Sequence, residues 1–520
     1  MLNLTLAVLA LSLVAGPSTA TPHRHWVFLS DKGYPTASAE AAAIESLESA
    51  SDPRAVERRR LRRTDPGLFD ARDLPVAPDY LAAIEATGAD VHVTSRWLNA
   101  VSVIATPAQL ARIAYLPGVT KVESVRGGRR TGEALETPTL AQPAGSRDFY
   151  GLSGDQIRQM NLHTLHGNGY TAAGIVIGIL DTGFQRSHAV FNQPGFELDV
   201  ISEHDFVMGD GNTGIEAGDN PDQHVHGTLI LSVIGANKVD ELVGGAYDAS
   251  FVLAKTEDIN SETPIEEDNY VAGLEFVEQH GGDVATSSLG YIDWYSQSNL
   301  DGHTAVTTIA VNIATANGLY CCTAAGKAYD DDNPATSTLI APADALQVIT
   351  AGAVNSAGDI ADFSSEGPTA DGRVKPELLA RGVDTYCVWP YDDVNYAYAS
   401  GTSLSTPLVA TAVACLVHAR PSWSVDRMRT YLARTASDQV LNGQPDPLFV
   451  RGYGILNAWN ALVAGCPADF DADGFVTGLD FDSFVYAFQD GLNDADFDGD
   501  GFLTGIDFDG FVHAFEAGCP

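Results

Sequence analysis

The chain has 520 residues, 45% of them hydrophobic, and its 68 acidic against 29 basic side chains give a formal net charge of −39. That length leaves room for several domains and a sizeable core. The acidic surface argues against nucleic acid and anionic membranes as partners and suits a soluble exported protein.

In chain order, residues 4 to 16 are almost wholly apolar and end near Ser18-Thr19-Ala20, the small-residue pattern of a cleavable secretion signal over 1–20. No positive residue precedes the run, and a membrane anchor is the rival reading, but the run is shorter than the roughly 20 residues a bilayer span needs. No other stretch is expected to span a membrane. Between 21 and 149 there are 16 basic and 16 acidic residues, whereas 151 to 520 hold 13 basic and 52 acidic, so the whole net charge lies in the later part. His25 to Leu29, helical Pro78 to Ala86, Leu98 to Ala105, helical Pro107 to Tyr115 and Val119 to Val125 predict a small α+β unit over 21–126. Arg58-Arg59-Arg60-Leu61-Arg62-Arg63 reads as an Arg-rich helix or solvated face, with a processing site as the alternative. A linker rich in Gly, Thr and Pro follows within 127–149.

The apolar run Gly174 to Leu180 is short, rich in β-branched residues and closed by Asp181, so it reads as a buried parallel strand with a carboxylate at its C-terminal end. His226 opens the apolar segment Leu229 to Ala236, a helix start, with His224 two residues away. The stretch Ser403 to Ala419 is apolar, has small residues and no Gly, and carries Pro407 near its start, where a missing N–H costs little, which predicts a buried helix with Ser403 at its positive end. Taken singly, His226 and Ser403 read as capping residues. Together an Asp, a His and a Ser at element edges are what nucleophilic acyl transfer requires.

The last 55 residues hold an internal repeat: Asp469 to Asp480 recurs 27 positions later as Asp496 to Asp507. Carboxylates at positions 1, 3, 5 and 12 of each copy (Asp469, Asp471, Asp473, Asp480; Asp496, Asp498, Asp500, Asp507), with Gly at position 6, are the pattern of a calcium loop. An acidic disordered tail would not space Phe481, Phe484, Tyr486, Phe488, Phe508, Phe511 and Phe515 this way. Cys466 and Cys519 bracket the repeat, and a disulfide between them would close a domain with little core of its own. Adjacent Cys321 and Cys322 face opposite sides of a strand, so at most one reaches Cys387, and Cys415 reads as a buried thiol. Structural zinc lacks the required spacing.

With these motifs in the order Asp, His, Ser, the stretch from 150 to 465 resembles a subtilisin-like serine peptidase. The resemblance implies an α/β fold with a parallel sheet flanked by helices, in which Asp181 orients His226 and His226 takes the proton of Ser403. Ser288-Leu289-Gly290 resembles the family's substrate-binding strand, and Ala325-Gly326 the opposite wall of its specificity pocket. Phe363 to Pro368 and Gly452-Tyr453-Gly454 resemble segments of structural importance. One departure is plain: where the family continues with an Asn that donates to the oxyanion, this chain has Lys327. Two readings stand: the ammonium donates in its place, or it turns towards Asp330, Asp331 and Asp332 and the Ser403 N–H works nearly alone; a catalytically weak or inactive peptide-binding protein is the alternative to a working enzyme. The 21–126 unit resembles an inhibitory propeptide, the alternative being a partner-binding module that stays attached. The paired loops of 466–520 resemble a small all-α dockerin-type module, which implies Ca2+ and raises a cohesin-like or cell-surface partner. The expectation is a secreted endopeptidase acting on proteins or peptides. A lipase would need Ser ahead of the acid and base.

Overall fold

Strand Val176–Asp181 is buried at every position, as the centre of a parallel sheet covered on both faces requires. The computed structural model describes residues 23–125, 138–141, 148–259, 265–292, 294–328, 333, 335–470, 476–492, 495, 497 and 502–518. The expected signal segment and most of the linker lie outside them. The central strand belongs to a seven-stranded parallel sheet in the order Leu378–Arg381, Ile349–Val354, Tyr320–Ala324, Val284–Ser287, Val176–Asp181, Ser250–Lys255, Asp199–Asp205. Its register sets Asp181 beside Lys255 and Leu180 beside Ser287.

Alternation along the strand sorts the core into two layers. Ile177 and Ile179 face a cluster that includes helices Val225–Gly235 and Thr402–Ala419. Val176 and Leu180 face a second cluster that draws on helices Ile265–Gln279 and Val306–Ala316. From the central strand the chain first visits Asp199–Asp205 and Ser250–Lys255 on one side, then crosses to Val284–Ser287 on the other. Strand ends diverge at such a reversal, which is where open α/β sheets hold their ligands. The expected α/β fold is the observed one. Helix Thr402–Ala419 is, among the described residues, the one long and apolar enough to cross a membrane, contrary to expectation. It lies buried, and a helix surrounded by neighbours is apolar all round for that reason.

The N-terminal unit is a four-stranded antiparallel sheet in the order Asp90–Ser95, Ala100–Ala105, His23–Leu29, Val119–Ser124. Helices Pro78–Glu85 and Pro107–Ile113 contribute Ile84 and Ile113 to a core with Val27, Val101 and Val103. The predicted α+β unit is therefore present, with helix Ala37–Ala50 and strand Asp90–Ser95 added to it. That strand lies against helix Ile265–Gln279, and Trp97 enters the sheet domain's second cluster. The arginine run forms helix Pro53–Arg62, but not as a solvated face or an accessible processing site: Arg58, Arg59 and Arg62 are 1%, 2% and 3% exposed.

Helices Gly478–Gln489 and Gly505–Ala517 form the C-terminal unit, joined by Phe484 stacked on Phe511 with centroids 4.0 Å apart. Tyr486 is exposed, because two residues from Phe484 and Phe488 is the opposite helix face. Cys466 is disulfide-bonded, and its expected partner Cys519 lies outside the described residues. Cys321, Cys322, Cys387 and Cys415 all remain buried thiols. No bridge joins Cys321 or Cys322 to Cys387, because strand Tyr320–Ala324 is in the parallel sheet and Thr385–Val388 pairs with Tyr396–Ala399 in a separate one.

Candidate active site

Asp181 ends the central strand and His226 is the second residue of helix Val225–Gly235, so the fold brings them to one sheet edge. His226 Nδ1 donates to Asp181 Oδ1 at 2.7 Å, which leaves Nε2 as the acceptor of the neutral ring. The same oxygen accepts from the Thr182 N–H at 2.7 Å and from Thr182 Oγ1 at 3.2 Å. Asp181 is wholly buried and its Oδ2 has no hydrogen-bond partner, so water does not compete for the histidine. The residue after each group explains its motif. A Cβ on Gly227 would stand 2.3 Å from the Gly183 carbonyl and 3.1 Å from Asp181 Oδ1, so only glycine lets this helix approach. Thr228 Oγ1 accepts from the Gln185 N–H at 2.8 Å and donates to the His224 carbonyl at 2.6 Å, clamping the helix start.

Ser403 is the second residue of helix Thr402–Ala419, where a backbone N–H has no intrahelical acceptor and the helix end is positive. The expectation that Pro407 costs little at a helix start needs correction. The helix begins at Thr402, so the N–H that Pro407 lacks is the one the Ser403 carbonyl would accept. Ser288 Oγ replaces it, donating to that carbonyl at 2.8 Å. Ser403 Oγ in turn donates to the Ser288 carbonyl at 3.3 Å rather than to His226.

Of the expected substrate-binding residues, Ser288 is brought against Ser403 and Gly326 against the neighbouring Thr402. Thr402 Oγ1 donates to the Gly326 carbonyl at 3.1 Å. Gly326 has φ +117, and a Cβ there would meet Ser365 Oγ at 2.7 Å. A Cβ on Gly290 would strike Ile340 Cδ1 at 2.2 Å. Leu289 and Ala325 are buried, each within a hydrophobic cluster. Lys327 follows Gly326, half-buried, and the acids expected near it, Asp330 to Asp332, lie outside the described residues. Gly452 and Gly454 are structural as expected: the Tyr453 N–H donates to the Glu377 carbonyl and the Leu379 N–H to the Gly454 carbonyl, both at 2.9 Å.

Sequence reasoning missed Gln223. Its buried amide donates at 2.6 Å both to the Thr182 carbonyl and to the Glu257 carbonyl, tying the loops after two neighbouring strands beside His226. Its position three residues before His226 was the only signal. His224 Nε2 donates to the Pro390 carbonyl at 3.0 Å, so this second histidine is occupied away from Asp181.

For the calcium loops, Asp469, Asp480 and Asp507 are described and buried, while Asp471, Asp473, Asp496, Asp498 and Asp500 lie outside the described residues. Asp480 Oδ2 accepts from the Thr477 N–H and Asp507 Oδ2 from the Thr504 N–H, each at 2.7 Å. Residues 466–520 contain no Lys or Arg, and the repeated carboxylates, all hard oxygen donors, are a donor set that fits a hard metal ion. One further acidic group among the described residues, Asp205, Asp210 and Glu216, brings carboxylate oxygens within 4.8 Å of one another. There Lys255 Nζ already lies 2.8 Å from Asp205 Oδ2.

A doubly covered parallel sheet, with the Asp181–His226 pair at one edge and Ser403 opening a buried helix packed on the same sheet, has the subtilisin-like α/β architecture. The subtilase family matches residues 172–454, and the Peptidase S8 propeptide domain of Bacteroidota matches residues 24–137. The chain belongs to the subtilase family and is a serine endopeptidase. It is 31% identical to subtilisin DY of Bacillus licheniformis over 52% of this chain and 86% of that protein. To subtilisin E of Bacillus subtilis (strain 168) it is 30% identical over 55% of this chain and 66% of the relative. The structure resembles fervidolysin from Fervidobacterium pennivorans with a TM-score of 0.57 and 19% identity, covering 85% of this chain and 61% of that one, a likeness of fold.

Proposed function

We propose that Asp181, His226 and Ser403 are the catalytic triad of a secreted endopeptidase that cleaves proteins or peptides through an acyl-enzyme. The observation that carries this is the 2.7 Å hydrogen bond from His226 Nδ1 to a wholly buried Asp181, at the sheet edge where Ser403 opens its helix. In this reading Ser403 Oγ turns from the Ser288 carbonyl to His226 Nε2, which takes its proton as Oγ attacks the scissile carbonyl. The tetrahedral oxygen develops charge towards the Ser403 N–H and the Lys327 ammonium. His226 then returns the proton to the leaving amine, and water resolves the ester. The extended substrate pairs as an added strand along Ser288 to Gly290, facing Ala325 and Gly326.

The domain reading is a signal over 1–20, an inhibitory propeptide over 21–126, processing within 127–149, the peptidase over 150–465 and a calcium module over 466–520. Ca2+ would be held by Asp469, Asp480 and Asp507 with the remaining aspartates of the two loops, and would supply charge neutralisation that orders the unit. The dockerin-type likeness and a cohesin-like partner rest on the repeat alone.

The test is mass spectrometry of the exported protein after a serine-directed fluorophosphonate, beside Ser403→Ala. Labelling of Ser403 with a new N-terminus between 127 and 150 supports the reading. A folded, unlabelled and unprocessed wild-type chain overturns it in favour of a peptide-binding protein.

A further inference from the structure

Helix Pro53–Arg62 buries arginine where a docking helix ordinarily buries apolar side chains. Its buried residues are Ala55, Val56, Arg58, Arg59 and Arg62, while Arg60 on the outer face pairs with Glu48 in solvent. The partners of the inward face lie mainly in the peptidase domain. Arg58 Nη1 donates to the carbonyls of Glu278 at 3.2 Å and Gly282 at 2.6 Å, and its guanidinium also pairs with the Glu278 carboxylate. Arg59 Nε donates to the same carboxylate at 2.9 Å. Arg62 Nη2 donates to Asp283 at 2.5 Å, with its guanidinium 5.0 Å from the Tyr320 ring centre.

These acceptors share a position in the fold. Glu278 is in the last turn of helix Ile265–Gln279, whose terminal carbonyls lack intrahelical donors. Helix Val306–Ala316 ends beside it, and there the Thr64 N–H donates to the Ala316 carbonyl at 2.9 Å and Arg58 Nε to the Asn317 carbonyl at 3.4 Å. One short segment therefore caps two helix C-termini and brings positive charge to their negative ends. Close approach is built into the receiving surface. A Cβ on Gly281 would stand 2.7 Å from Arg54 Cβ, and one on Gly318 would stand 2.6 Å from Arg62 Cβ. Asp283 and Tyr320 begin or precede strands whose far ends carry the substrate-binding residues, so the contact is at the sheet edge opposite Asp181. Across a six-residue central strand that is roughly 17 Å away.

We propose that the arginine face of helix Pro53–Arg62 is a latch: it holds the propeptide at the peptidase's two helix ends, remote from the active site, and sets how long the propeptide stays bound once the linker is cut. The inference rests on reading 21–126 as a propeptide, but its test does not rest on activity. In the full chain carrying Ser403→Ala, a recognition site for a sequence-specific protease is placed between Gly127 and Gly145, the chain is cut with that protease, and dissociation of the two pieces is timed by size-exclusion chromatography. The cut parent is expected to co-elute, and Arg58→Met with Arg62→Met to release the N-terminal piece on the order of a hundredfold faster. Arg60→Met, on the solvent face, is expected to match the parent. Release by the double variant within about twofold of the parent overturns the latch, as does immediate separation of the cut parent. Should the double variant fail to fold, Asp283→Asn, which removes the carboxylate facing Arg62, is expected to speed release about tenfold, and unchanged release there overturns the proposal equally. If the latch holds while the wild-type chain takes no fluorophosphonate, the peptidase mechanism alone has failed.

Discussion

Ser403 and Ser288 exchange hydrogen bonds in both directions: each hydroxyl donates to the other's carbonyl, at 3.3 Å from Ser403 and 2.8 Å from Ser288. The exchange exists because Pro407 cannot donate to the Ser403 carbonyl. Ser288→Ala would leave that buried carbonyl unpaired, a loss of about 1 to 3 kcal/mol. We expect kcat to fall about tenfold with little change in KM, since the substrate strand keeps its backbone. A rise in KM at constant kcat would show that Ser288 acts on binding alone.

Lys327, the proposed oxyanion donor, follows Gly326, whose carbonyl accepts from Thr402 Oγ1. If a side chain from this position supports the tetrahedral oxygen, Lys327→Ala lowers kcat by about a hundredfold, the known scale of losing one such donor from a subtilisin. Lys327→Asn is expected to retain or raise the wild-type rate, being shorter and better held. Equal turnover by the alanine variant and the wild type would leave the Ser403 N–H as the working donor.

Burial pushes the Asp268 carboxyl up to about 7, against the Ser102 hydroxyl and the Arg24 guanidinium, which lower it. A carboxyl raised by folding favours the docked state while protonated. Its contribution is whole below the ordinary carboxyl value, shrinks as the pH climbs to about 7 and is constant beyond. His92, which hydrogen-bonds Asn269 at 2.6 Å, is depressed by burial and acts in the opposite sense at acid pH. The readout is therefore the difference between Asp268→Asn and wild type. By chemical denaturation, the variant's advantage should grow between pH 4 and 7 by on the order of 4 kcal/mol and then level off. A difference independent of pH would remove Asp268 from the account.

The C-terminal unit stacks Phe484 on Phe511, both wholly buried, over capping boxes closed by Asp480 and Asp507. Phe484→Ala is expected to cost about 3 to 5 kcal/mol, seen as a separate low-temperature transition in calorimetry. Chelation of calcium from the wild-type chain should shift the same transition downward. A transition indifferent to chelator would leave the aromatic core as the whole source of its stability.

What the sequence made legible follows from local pattern. The run ending in Asp181 is apolar because its strand is covered on both faces, and His226 and Ser403 open helices that begin at that sheet edge, so each group could be placed from its immediate neighbours. Pro407 was misjudged because its cost depends on where the helix starts, one residue before Ser403. The arginine helix was opaque for a different reason. A buried charged face has the composition of a solvated one, and what buries Arg58 and Arg62 is Glu278 and Asp283, more than 200 residues away in the chain. The thiols likewise required the sheet assignment, which spacing does not contain.

Arg58 and Thr64 cap helices Ile265–Gln279 and Val306–Ala316 from a segment that a processed enzyme no longer carries. The mature chain, once unfolded, would have to rebuild two helix ends without their original donors. Its lifetime would then be set by the height of the unfolding barrier rather than by an equilibrium between folded and unfolded forms.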